Sequence, residues 1–341
     1  MQPGRSTPSF RLLAITLFVV YMAFAATMYV VLGITFTPDY WVIALFIGAV
    51  VLGQTVAFLR DWVPLVFLIF GYEFLRGVAG TIVLRGGYSA DQHGRIQVQS
   101  LIDADKFLFG GTLPTLWLQK HFYTPGTVHW YDTVCVIAYF GLHFVFPLIF
   151  AFLLWIHSKE RFWQFSLAFL AMTYAGFAIF LLFPAAPPWL AQQWGYIHGV
   201  QFPSNQAFQV ILPHRYDDVH TFKLWSEASP NPVAAMPSLH AAFPWLVLLF
   251  GLRFFGKRAI VLISYSLLIW FTVIYLGQHW VVDIIGGIIW ATIWFAIVVW
   301  AWPWITRLAE IPMPGWVTAT GERVRGALPS VFQRSTNDIS R

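Results

Sequence analysis

The chain has a single cysteine, Cys135, among its 341 residues, so no disulfide can form within it and cysteine usage says nothing about its redox compartment. Charge is scarce too. Asp, Glu, Lys and Arg make up 10% of the residues, where soluble domains carry about 25%. A chain this poor in charge cannot cover itself with a polar surface, which excludes a soluble globular protein. No internal repeat, low-complexity tract or second soluble domain is visible. That absence argues against a transporter or lipid-binding scaffold of the same architecture, since transporters are commonly built from inverted repeats.

What is present is apolar and aromatic. Hydrophobic residues make up 58% of the chain and aromatic residues 19%, with eighteen Trp; the mean hydropathy is +0.67. Lipid is the main solvent of such a chain, and Trp and Tyr favour its interface with water. The net charge of +5 does not point to nucleic acid, because Lys and Arg cluster at the ends of hydrophobic segments, where they set topology.

A membrane helix needs roughly 20 apolar residues. Eight runs qualify, at about 11–32, 40–59, 62–84, 130–156, 162–183, 239–255, 259–277 and 280–305. The first contains a small-x-small step at Ala23-Phe24-Ala25, but its apolar run continues through Leu32, so it reads as a retained helix rather than a cleaved leader. The expected fold is an all-α integral membrane protein of about eight transmembrane helices in one bundle, with both termini cytoplasmic. Residues 1–306 form the membrane domain and 307–341 a polar, basic tail. This orientation puts basic loops such as 157–161 and 253–258 inside, as the positive-inside rule requires. The two long loops, 85–129 and 184–238, then face outward. Within the first of them, the aromatic, Gly- and Pro-containing stretch 107–114 suits a short amphipathic or re-entrant piece.

Chemistry concentrates in two short stretches. Pro237-Ser238-Leu239-His240 lies where the second long loop enters the sixth span. Pro and Ser suit a helix start, and a helix start offers N–H groups and partial positive charge to a phosphate. His279 and Asp283 begin the eighth span, four residues apart on one helical face. Asp283 can hold one imidazole nitrogen and leave the other free to attack. Both motifs open inward-going helices, so the two histidines share the extracytoplasmic face. One imidazole as nucleophile and the other as acid suits phosphoryl transfer.

These motifs resemble the last two signatures of the type 2 phosphatidic acid phosphatase superfamily. Within it the pattern is similar to the inositol phosphorylceramide synthase branch, through Pro-Ser-Leu-His, His279-Trp-x-Val-Asp283 and the upstream Pro184-Ala185-Ala186-Pro187-Pro188-Trp189. The resemblance covers roughly 130–305. It implies a metal-independent lipid phosphotransferase working through a phosphohistidine, or alternatively a lipid phosphate or prenyl diphosphate phosphatase. In this scheme His279 is the nucleophile, Asp283 orients it, His240 is the general acid and Ser238 helps bind phosphate. The expected partners are a lipid phosphate and an alcohol or water acceptor, with no cofactor, no metal and no nucleic acid, in the plasma membrane. Two cations of the superfamily pattern are absent. There is no Lys-x6-Arg-Pro match, and Val273 stands where an Arg precedes the nucleophile.

Replacement cations must come from elsewhere. Arg76 lies within the third span, three residues from Glu73; it either reaches the lipid phosphate or forms a structural ion pair. His143 either lines the pocket or packs as an ordinary buried histidine. Lys223 and Arg215 are candidates for the head group or simply solvated loop charges. The cluster His214–His220 matches no metal-ligand spacing. Asp103-Ala104-Asp105 resembles the acidic pair of some glycosyltransferases, but it belongs to a loop with no assigned place.

Overall fold

The structure, a computed structural model, describes residues 38–83, 95–211 and 231–309. The expected first span, Lys223, Arg215, the His214–His220 cluster and the tail beyond 309 lie outside the described residues. The chain divides into two compact units, Met1–Val298 and Val299–Arg341.

The described residues are helical, with isolated β-bridges in place of strands. In chain order the helices are α1 (Pro38–Val51), α2 (Thr55–Val83), α3 (Gln99–Leu108), α4 (Pro114–Phe122) and α5 (Trp130–Ile137). A π-helical turn (Ala138–Leu142) joins α5 to α6 (His143–His157). Then follow α7 (Lys159–Leu182), α8 (Pro188–Gln193), α9 (Pro203–Ile211) and α10 (Leu239–Phe255). A 3-10 segment (Gly256–Leu262) leads to α11 (Ile263–Tyr275), and α12 (Val281–Ala309) closes the series.

Four stretches are long and apolar enough to cross a membrane: Thr55–Arg76, Trp130–His157, Lys159–Leu182 and Val281–Arg307. They make the chain an integral membrane protein. Their outer faces are apolar, with Phe67 75%, Phe74 73% and Leu182 85% exposed, as a lipid-facing helix requires. The helices α10 and α11, of 17 and 13 residues, are shorter than the roughly 20 residues of a full crossing.

The second and third expected spans are divided differently from the sequence reading. The break falls at Leu52–Gln54, where Gly53 adopts φ +67°. Glycine takes this left-handed conformation without a Cβ penalty and so ends α1 there. Arg60 and Asp61, expected at a loop, therefore sit inside α2. Asp61 is buried and accepts from Trp155 Nε1 (2.8 Å) and Arg60 Nε (2.8 Å), while Lys159 Nζ lies 3.6 Å away over the Trp155 ring. This cluster ties α2 to the junction of α6 and α7.

Among the described residues the two long loops hold more helix than their sequence suggests. The first holds α3 and α4; the stretch 107–114 forms the end of α3 and the turn between them, with Phe107 and Phe109 exposed. The second holds α8 and α9. Leu101 and Ile102 of α3, Trp189 and Leu190 of α8, Val233, Ala235 and Trp280 share one buried apolar cluster. This cap rests on the start of α12.

Candidate active site

The turn before α12 is built to aim His279. After α11 ends, Gly277 takes φ +68°, and the N–H groups of Gln278 and His279 both return to the Val273 carbonyl (2.8 and 3.1 Å). A Cβ on Gly277 would also meet Val200 Cγ1 at 3.1 Å, so both conformation and space call for glycine here. The Pro184–Trp189 element braces this turn from outside. Trp189 N donates to the Gly277 carbonyl (3.1 Å), and Trp280 Nε1 donates to the Ala186 carbonyl (2.8 Å). Ala185 and Ala186 bond to Val233 and Gln97, so one short element gathers three loops.

The second histidine comes from α10. Ser238 is its N-cap, fully buried, and the hydroxyl accepts from Ala241 N at 3.2 Å. Ser238 N donates to the Asp283 carbonyl (3.1 Å), which joins the starts of α10 and α12 directly. That approach is possible because position 287 is glycine; a Cβ there would collide with the Ser238 carbonyl oxygen. The Ser238 hydroxyl accepts as a cap and keeps its own O–H as a donor.

These two supports bring the histidines together. His240 Nδ1 lies 3.0 Å from His279 Nε2, and His279 Nδ1 lies 3.4 Å from Asp283 Oδ2. His279 is 4% exposed and Asp283 fully buried. A carboxylate beside Nδ1 favours the tautomer with its proton on that nitrogen, which leaves Nε2 as a lone pair. Nδ1 of His240 is then the donor across the 3.0 Å contact. An imidazole lone pair and an N–H proton therefore face each other across 3.0 Å.

The π-helical turn completes the wall. Tyr139 stacks on His240 with ring centres 4.9 Å apart and planes 17° apart, and His143 lies 4.6 Å from the same ring. Tyr139 also donates to Gln278 Oε1 at 3.1 Å. Such single π-turns recur at functional sites, and here Tyr139 of the turn and His143, the first residue of α6, both face one histidine. Arg76 is near enough to act electrostatically on Tyr139, His143 and His240. Of the residues singled out from sequence, His279, Asp283, His240, Ser238, His143 and Arg76 converge on this region.

Two contributors escape the sequence reading. Tyr139 carries a usable signal, four residues from His143 within an apolar run. Asp105 is the other. It is 1% exposed and accepts from the N–H groups of Val281 (3.0 Å) and Val282 (2.9 Å). Burial pushes its carboxyl up to about 6 against those two hydrogen bonds, and the charge of Asp283 pushes the same way. Its acidic pair is the one set aside above, and its partners lie 176 and 177 positions along the chain. Among the described residues no three His, Cys, Asp or Glu side chains form a metal-ligand group.

The family model of the PAP2 superfamily matches residues 100–297, more than half of the chain. The chain belongs to the PAP2 superfamily. The match begins at α3, so α3 and α4 are part of the superfamily region, which reaches further toward the N-terminus than the 130–305 of the sequence reading.

Three curated relatives point to the inositol phosphorylceramide synthase-like branch. A phosphoinositol dihydroceramide synthase of Bacteroides thetaiotaomicron is 30% identical over 57% of this chain and 64% of its own length. An inositol phosphorylceramide synthase of Candida albicans is 28% identical over 46% of this chain and 33% of its own. The inositol phosphorylceramide synthase catalytic subunit of Schizosaccharomyces pombe is 27% identical over 59% and 46%. The chain thus spans from a third to just under two thirds of these relatives. No solved structure matches. The family match and the long apolar helices together make the chain a membrane protein of this superfamily.

Proposed function

We propose that this enzyme transfers a phospho-head-group between lipid-linked substrates at the extracytoplasmic leaflet, through a covalent intermediate on His279. The observation that carries the reading is the imidazole pair, 3.0 Å apart, with a buried carboxylate behind one ring. In the first step His279 Nε2 bonds to phosphorus, the bond from phosphorus to the leaving oxygen breaks, and His240, entering as imidazolium, gives its Nδ1 proton to that oxygen and becomes neutral. In the second step the acceptor hydroxyl returns a proton to His240 and its oxygen displaces His279. The start of α10 and Arg76 stabilise the charge on the non-bridging oxygens. Arg76, with Lys223 as a further candidate, takes the part of the missing superfamily cations, and His143 lines the pocket beside His240. Two imidazoles supply nucleophile and proton, so the scheme needs no metal.

The names of the relatives suggest the substrates, a phosphoinositol donor and a ceramide acceptor. The test is to incubate the purified full-length protein with phosphatidylinositol and a fluorescent ceramide. A phosphoinositol-bearing fluorescent product supports the transferase. Inorganic phosphate released from phosphatidate, with no such product, would make the enzyme a lipid phosphatase and overturn the proposed reaction.

A further inference from the structure

We propose that Asp105 is a positioning residue of this site, holding the start of α12 so that Asp283 stays on His279; the inference rests on the reading of His279 as nucleophile. The first N–H groups of a helix have no carbonyl of their own to meet. A helix usually solves this with Ser, Thr, Asp or Asn at the N-cap. In α12 the residue at that point is Trp280, whose indole is committed to the Ala186 carbonyl. Asp283 reaches back to Trp280 N (2.9 Å), which is half of a capping box; Trp280 cannot supply the other half. Asp105 caps the helix from α3 instead, with one oxygen on each of its first two amides, Val281 N and Val282 N.

This arrangement has a consequence for the chemistry. Asp283 Oδ2 already serves Trp280 N as well as His279 Nδ1. Without Asp105, two unpaired amides sit one and two residues before Asp283 and compete for its carboxylate. Moving toward them takes it off the imidazole. A carboxylate buried beside another carboxylate is a costly cap, and a serine would serve a helix that needed only capping. Among the described residues Asp283 is the charged group that acts on Asp105. On its own helix Asp103 is exposed and bonds to Gln99, and Lys106 is exposed. The buried cluster formed by its helix neighbours Leu101 and Ile102 with Trp189, Val233 and Trp280 carries no charge.

Two variants and the pH profile test the proposal, using phosphatidylinositol and a fluorescent ceramide as probes. In Asp105→Asn one oxygen remains but the amide NH2 faces an N–H, so kcat falls about 10- to 100-fold while KM stays within about twofold. Asp105→Glu restores part of kcat. Wild-type kcat falls below a pH of about 6, where one acceptor oxygen is protonated, and Asp105→Asn loses that limb. Stability moves the other way. The carboxyl binds its proton more tightly folded than unfolded, so the wild-type melting temperature rises relative to Asp105→Asn as pH falls through the same range. A residue that merely held the fold together would lower activity and stability together.

His279→Ala, run alongside, separates the two readings. Wild-type turnover in His279→Ala would remove the nucleophile and this inference with it. An inactive His279→Ala beside an Asp105→Asn of unchanged kcat and pH profile overturns the positioning role alone. Should Asp105→Asn fail to fold, amide exchange in wild type decides. The Val281 and Val282 N–H groups are protected if Asp105 holds them, and exchange at the rate of free amides overturns the proposal.

Discussion

A single methyl group at Gly287 tests whether the close approach of α10 and α12 sets the catalytic geometry. A Cβ at this position would lie 3.1 Å from Ala241 Cβ and would collide with the Ser238 carbonyl oxygen, where ordinary contact begins at 3.4 Å. Backbone on one side and a helix on the other leave no flexible group to yield. The starts of the two helices must therefore separate by about 1 Å, and a misplacement of that size costs roughly 100-fold in rate. The same movement lengthens the 3.1 Å bond from Ser238 N to the Asp283 carbonyl and the 3.0 Å contact between the histidines. Overpacking of this kind costs about 1–3 kcal/mol, so the protein stays folded. Gly286→Ala is the control. Its Cβ would meet Met236 Cε at 3.2 Å, the far end of a flexible side chain that swings aside. Turnover of fluorescent ceramide with thermal melting in detergent is the assay. Gly287→Ala falls roughly 100-fold in kcat and Gly286→Ala stays within about threefold. Equal turnover in the two variants would refute the reasoning.

Further predictions concern other parts of the molecule. Tyr139→Phe removes the donor to Gln278 Oε1 and keeps the stack on His240, so kcat falls by about 3- to 10-fold, a typical hydrogen-bond loss, in the same turnover assay. Asp61→Asn strips the charge that faces Arg60 and Lys159; it destabilises by about 1–3 kcal/mol and leaves kcat alone, which melting and turnover together check. For topology, His198 is exposed on the 184–238 segment. A His198→Cys variant in a Cys135→Ser background reacts with an impermeant thiol reagent in intact cells if that segment faces outward; protection there reverses the orientation.

The parts of the site that are legible in sequence are those whose partners lie close along the chain. His279 and Asp283 are four residues apart on one helix, and Pro237-Ser238 marks the start of the helix that carries His240. Topology then puts both starts at one level, which the 3.0 Å contact between the imidazoles matches. What sequence does not reveal is contact across long separations. Asp105 takes its role from amides 176 and 177 residues away, and nothing in the local pattern of Asp103-Ala104-Asp105 announces it. The helices of the two long loops are short and lack a long apolar period, so they read as loop. The boundary near Gly53 is hidden for another reason. The apolar pattern runs straight through it, and the charges at Arg60 and Asp61 are a stronger signal for a loop than one glycine. Asp61 contradicts that signal because its charge is neutralised inside the bundle.

The central claim is covalent catalysis by His279, and trapping tests it most directly. The protein is mixed with a phosphorus-labelled lipid donor, quenched at alkaline pH and separated from free lipid. The account predicts an acid-labile label on wild type, absent from His279→Ala and retained or accumulated in His240→Ala, because the acid is lost while the nucleophile remains. Equal labelling of wild type and His279→Ala would contradict it.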